Sequence, residues 1–126
     1  MKALNIIETA YRATLEEQDD PVVWITHAMK GAGADLTVLL RGNAVNYVDQ
    51  GQSVTPLSFG AKTQSHGPDL ARDVAGLPPK GVEVYVVRED LVARGIGEEN
   101  LVDGIQLIAS SDIPGLFDRH DQVWHW

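Results

Sequence analysis

Cysteine is absent from the 126 residues. That gap excludes disulfides, thiolate metal sites, iron–sulfur clusters and a cysteine nucleophile together. Cations are scarce as well. Lys and Arg number 10 against 18 Asp and Glu, for a formal net charge of −8. Non-specific nucleic-acid binding needs a cationic face that displaces counterions, so this balance argues against it. No apolar stretch approaches the roughly 18 residues of a membrane span. The opening Met1-Lys2-Ala3-Leu4-Asn5-Ile6-Ile7-Glu8 has too short an apolar run for a signal peptide and ends on an acid. The expected location is the cytoplasm.

The sequence also lacks the common catalytic and cofactor motifs. No GxGxxG follows the first apolar run, and no GxxxxGK[ST] occurs. There is no GxSxG elbow and no HxxxH or HExxH pair. Neither a cofactor nor a helical zinc site is expected. Asp118, His120 and Asp121 are the nearest thing to a metal cluster, but a polar helix end explains them equally well. Glu16-Glu17 and Asp19-Asp20 read as a solvated acidic approach to a helix rather than as acid–base machinery.

What is present is a regular alternation. Residues 3–7, 35–40, 82–87, 104–108 and 122–126 read as five strands, the last of them an edge strand. Asp20-Pro21 starts a helix whose apolar residues Val22, Ile25, Ala28 and Met29 recur at helical spacing. Asn43 is placed to cap a second helix, residues 68–76 form a third, and residues 89–94 form about one turn ended by Gly95. Ser110-Ser111-Asp112 is placed as the cap of the last helix. Residues 51–67 read as a long surface loop, the kind of segment that often carries function. Strands alternating with helices imply one α/β domain over residues 1–126: a three-layer α/β/α sandwich on a five-stranded, mostly parallel sheet.

Two features stand out against this frame. Arg41-Gly42-Asn43 lies where a strand meets a helix start, a place where backbone N–H groups can hold an anion, although turn and cap explain the residue types better. Trp24, Trp124 and Trp126 are prominent in a chain with only 6% aromatics. Core packing and a subunit interface are equal readings for them.

The stretch from Gly81-Val82-Glu83-Val84-Tyr85-Val86-Val87-Arg88 through Arg94-Gly95-Ile96, then Leu101-Val102-Asp103-Gly104-Ile105-Gln106-Leu107-Ile108 and a terminal Trp, resembles the DsrE/DsrF/DsrH-like family. Within it, the chain looks most like the DsrH/TusB-type subunits. The resemblance implies the same three-layer fold, trimeric or hexameric self-association and a cytoplasmic role in sulfur relay with a protein partner. Active members carry persulfide on a cysteine at the end of the strand before Arg-Gly. Aligned on Arg94-Gly95, that position is Val87. The carrier step therefore does not transfer.

Two functions are consistent with this. One is a non-catalytic binding or scaffolding subunit that assembles through its apolar faces and the Trp124/Trp126 terminus. The other is a protein that binds a small anion or nucleotide-type ligand, or a non-thiol enzyme. Its cleft would lie at Arg41, Asn43, Arg88 and Arg94 with residues 51–67 as lid.

Overall fold

The computed structural model describes residues 1–12 and 19–126. The Glu16-Glu17 pair lies outside the described residues. The strands are β1 (Lys2–Ile7), β2 (Asp35–Leu40), the short β3 (Ser58–Phe59) and β4 (Lys62–Thr63), β5 (Glu83–Val87), β6 (Gln106–Ile108) and β7 (Gln122–His125). The α-helices are α1 (Pro21–Gly31), α2 (Leu70–Ala75), α3 (Arg88–Ala93) and α4 (Ile113–Asp118).

Five strands make one sheet in the order β6-β5-β2-β1-β7, and every pairing in it is parallel. Because side chains alternate across a strand, the interior strands β1, β2 and β5 feed two cores. Ile7, Val38, Leu40, Val84 and Val86 face one side, where α1, α2 and α3 contribute Val22, Val23, Leu70, Val74 and Leu91. Leu4, Ile6, Leu39, Tyr85 and Val87 face the other side. There α4 supplies Ile113 and Leu116. A strand buried on both faces must be apolar throughout, which is why the predicted runs had no polar alternation.

The first core carries two buried polar links. Asp20 caps α1, its Oδ1 accepting from the N–H groups of Val22 and Val23 at 2.8 and 3.1 Å. Its Oδ2 accepts from the Tyr47 hydroxyl at 2.6 Å, and both residues are fully buried. Asn5 lies in the middle of β1 with no exposed surface. Its Nδ2 donates to Thr26 Oγ1 of α1 at 2.7 Å, and the Thr26 hydroxyl passes a bond to Val22 O at 2.7 Å. The remaining acceptor of Asn5, Oδ1, receives the indole N–H of Trp126. These bonds satisfy polar groups that would otherwise be buried unpaired.

Several local expectations change. The segment after β2 is a 3-10 helix, Gly42–Val48, and no side chain caps it. Asn43 is therefore not a cap. Ser110–Asp112 is also a 3-10 turn without a side-chain cap, and α4 follows it uncapped by Asp112. The Ser110 N–H is instead bonded by the Glu89 carboxylate at 2.8 Å. Residues 51–67 are not loop throughout, because β3 and β4 form a small antiparallel hairpin there. Core packing is excluded for Trp24 within one chain, since it is 56% exposed on α1. The buried face of α1 is formed by Val22, Val23 and Thr26, and Trp24 lies off it.

Removing one partner from a buried pair costs more than the bond itself was worth. Trp126→Phe leaves Asn5 Oδ1 without a donor and is expected to lower stability by about 1–3 kcal/mol in urea unfolding. Tyr47→Phe strands Asp20 Oδ2 and is expected to cost a similar ~1–3 kcal/mol. Burial first, and the bond to Asp20 second, raise the Tyr47 phenol above its ordinary 10.0. It thus stays protonated in the fold while an unfolded chain would ionise. That contribution is complete below pH 10.0 and is lost as pH rises further. Unfolding measured on both sides of this pH should show a steeper alkaline loss for the wild type than for Tyr47→Phe.

Candidate functional site

Open parallel sheets bind ligands beyond the carboxyl ends of their strands, where the chain reverses direction across the sheet. Here the chain runs outward from β1 through β2, β5 and β6, then returns to place β7 on the far side of β1. The reversal lies between β1 and β7. Glu8 follows β1, and His125 closes β7. Their side chains meet, with His125 Nε2 2.6 Å from Glu8 Oε2. The other Glu8 oxygen lies 3.9 Å from Arg41 Nε, just past β2. Neither Glu8 nor His125 was singled out as a pair from sequence. They are 117 positions apart, and only the pairing of β7 with β1 brings them together.

A second knot of charge lies past β2 and β5. Gly42 has φ of +55°, a conformation that favours glycine, and a Cβ there would meet the Glu8 side chain at 3.0 Å. Its N–H donates to Asp90 Oδ2 at 2.7 Å. The anion held by the Arg41-Gly42-Asn43 turn is thus a carboxylate of the chain's own α3. Arg94 completes the arrangement. Its Nε and Nη2 both donate to Asn43 Oδ1, at 3.1 and 2.8 Å, and its Nη1 donates to Asp90 O at 3.1 Å.

The structure therefore brings Arg94 and Asn43 into direct contact. It does not gather the four cleft residues around one space. Arg41 is turned to Glu8, and Arg88 is turned to Glu98 with Nε to Oε1 at 3.1 Å. Each of the three guanidinium groups already faces a carboxylate of the chain. Beside Arg88, the Glu89 carboxyl is held below its ordinary value, first by its own backbone N–H at the helix start and then by that of Ser110. Residues 51–67 do border a cavity, but its wall is formed with Tyr11 and the start of α2 rather than with these arginines.

Val87 is the last residue of β5 and the N-cap of α3, at 2% exposure in the second core. It packs among Leu4, Ile6, Leu39 and Ile108. The remaining candidates are separately engaged. His120 Nδ1 donates to Leu116 O at 2.6 Å, as suits an imidazole at a helix end, while Asp121 Oδ2 accepts from the Lys2 N–H at 2.7 Å. His27 lies between Asp73 O and Lys80 Nζ, at 2.7 and 2.9 Å. Trp124 is half-buried and Trp126 is 45% exposed despite its bond to Asn5. Among the described residues no three His, Asp or Glu side chains converge as a metal site would require.

No family model and no curated protein sequence matches the chain. Solved structures do. The crystal structure of YchN from E. coli is similar over 100% of both chains, with a TM-score of 0.76 at 18% sequence identity. MTH1491 of Methanobacterium thermoautotrophicum, a protein of unknown function, is similar over 98% of this chain and 96% of its own, with a TM-score of 0.65 at 13% identity. At such identities the likeness is one of fold. The chain has the α/β fold of these two proteins, with the five-stranded parallel sheet that the alternation of strands and helices implied.

Proposed function

We propose that this chain is a non-catalytic DsrE-like subunit of the DsrH/TusB type, which binds or scaffolds partners in cytoplasmic sulfur relay and does not itself carry sulfur. The observation that carries the reading is Val87. At the place where active members hold the carrier cysteine, this chain has a hydrocarbon side chain sealed in the core. A persulfide carrier must offer its sulfur to donors and acceptors, so a change of residue type and a loss of access both oppose that step. The surface supports a partner-binding role. Phe117, Val123 and Trp126 are each between 41% and 45% exposed, and α4 and β7 present them beside an open sheet edge. Aromatic residues of this kind are enriched at interfaces. The alternative of an anion- or nucleotide-type ligand at Arg41, Asn43, Arg88 and Arg94 has less support, because a ligand anion would have to displace carboxylates already paired there.

Self-association is the first expectation. Light scattering at micromolar concentration should give a trimer or hexamer of the 13.7 kDa chain. Trp124→Glu, at the interface candidate that makes no bond to the core, should shift the mass toward one chain with the far-UV spectrum unchanged. A wild type that is strictly monomeric removes the assembly. The second expectation concerns the carrier position. Val87→Cys should resist alkylation and sulfane transfer in the folded protein and react only after denaturation. Rapid persulfidation of the folded variant would mean that only the thiol, and not the access, distinguishes this chain from a carrier.

A further inference from the structure

A cavity of about 760 Å3 opens between the segment after the 3-10 helix and the start of α2. Small-molecule sites commonly enclose roughly 300–1,000 Å3. The wall includes Tyr11, Gln50, Gln52, Val54, Asp69 and Leu70, and no Lys or Arg is among the residues described on it. This space is separate from the strand-end cluster of Glu8, Arg41 and His125, and nothing in the proposed scaffold role accounts for it.

The direction of the polar groups decides what it suits. Gln52 Nε2 faces the carbonyls of Asn46, Tyr47 and Asp49, at 3.1, 3.3 and 2.9 Å. Three carbonyl partners fix the orientation of this amide, since the reverse would set oxygen against oxygen. Gln50 Nε2 donates to Leu101 O at 2.9 Å. Gln52 thus commits its donors to the backbone and leaves Oε1 as an acceptor, and Gln50 commits one of its two N–H groups. Asp69 uses Oδ1 to cap α2, accepting from the Arg72 N–H at 3.1 Å. Its Oδ2 takes no bond from any described residue and remains a charged acceptor. A wall with acceptors, a carboxylate and no cation among its described residues favours a guest that donates hydrogen bonds and is itself positive.

Tyr11 supplies the complementary surface. Its ring is 53% exposed and rests on the buried Tyr47 ring, with centroids 5.4 Å apart and a 52° tilt. The face of such a ring attracts a cation. Its phenol is raised above its ordinary value by burial first and by the Asp49 charge second, so the local field is negative there. Val54 and Leu70 give the guest an apolar wall.

We propose that this cavity binds a small organic cation, an ammonium or amidinium head on an apolar body, with the head at Asp69 and the Tyr11 ring. The site stands whether or not the chain assembles.

Three near-isosteric probes separate charge from shape: benzamidine is positive, benzamide neutral and benzoate negative. Titrated into isotope-labelled wild type, benzamidine should bind tightest and benzoate weakest. Amide shifts should centre on residues 50–54 and 67–71, and added salt should weaken benzamidine alone. Asp69→Asn keeps a good N-cap for α2 while removing the charge. It should weaken benzamidine about tenfold, the worth of a charge-assisted bond, and close its gap to benzamide. Tyr11→Ala should weaken benzamidine with helix content unchanged. Benzoate binding as tightly as benzamidine overturns the proposal. So do unchanged benzamidine affinity in Asp69→Asn, shifts that map elsewhere, or no shift at millimolar benzamidine. Should Asp69→Asn fail to fold, the wild-type charge series and Tyr11→Ala still decide the matter.

Discussion

The buried amide of Asn5 is the point where three elements of this fold are joined. It lies in the central region of the sheet, on β1, with one end bonded to Thr26 of α1 and the other to the indole of Trp126 beyond β7. A polar group with no exposed surface is costly unless every bonding position is filled. Asn5 therefore does more than occupy a strand. It sets the rotation of α1 over the sheet and the register of β7 against β1, because a shift of either would leave a donor or acceptor in hydrocarbon. The Asp20–Tyr47 pair has a similar effect elsewhere in the first core, joining the start of α1 to the 3-10 helix.

This also separates what could be read in the sequence from what could not. Strands buried on both faces announce themselves by composition, and β2 has the same bounds, Asp35–Leu40, that its apolar run indicated. The start of α1 was legible because Asp20 and Pro21 act on their immediate neighbours. Asn43 and Ser110 depart from their sequence expectation for the opposite reason. Both have the right residue type for a cap, but their surroundings come from elsewhere in the chain. Arg94 takes the Asn43 side-chain carbonyl from 51 positions away, and Glu89 takes the Ser110 N–H from 21 positions away. A terminal Trp was conspicuous in sequence, but its bond to Asn5 spans 121 positions and leaves no local trace.

Charge behaves in the same way at the strand ends. Arginines at these positions invite a ligand when the sequence is read one element at a time. In the folded chain they meet Glu8, Asp90 and Glu98, which the sequence places in loops and helix starts with no mark of their partners. A chain with a net charge of −8 has carboxylates to spare for its cations. The same excess leaves Asp69, on the wall of the cavity beside α2, with no cation among the described residues that share that wall. The surplus of acid thus closes one potential binding face and opens another of opposite sign.

The placement of β7 has a kinetic consequence. Its contacts with β1 join residues 117 to 121 positions apart, so closing this edge carries the largest loop entropy in the sheet. Contacts of such separation form late and slow the folding of the whole domain. The same strand is short, with Gln122, Val123 and His125 all exposed, so its opening costs less than that of any interior strand. Where β7 is paired, it covers the N–H and C=O groups of the β1 edge that would otherwise stand open as a template for another strand.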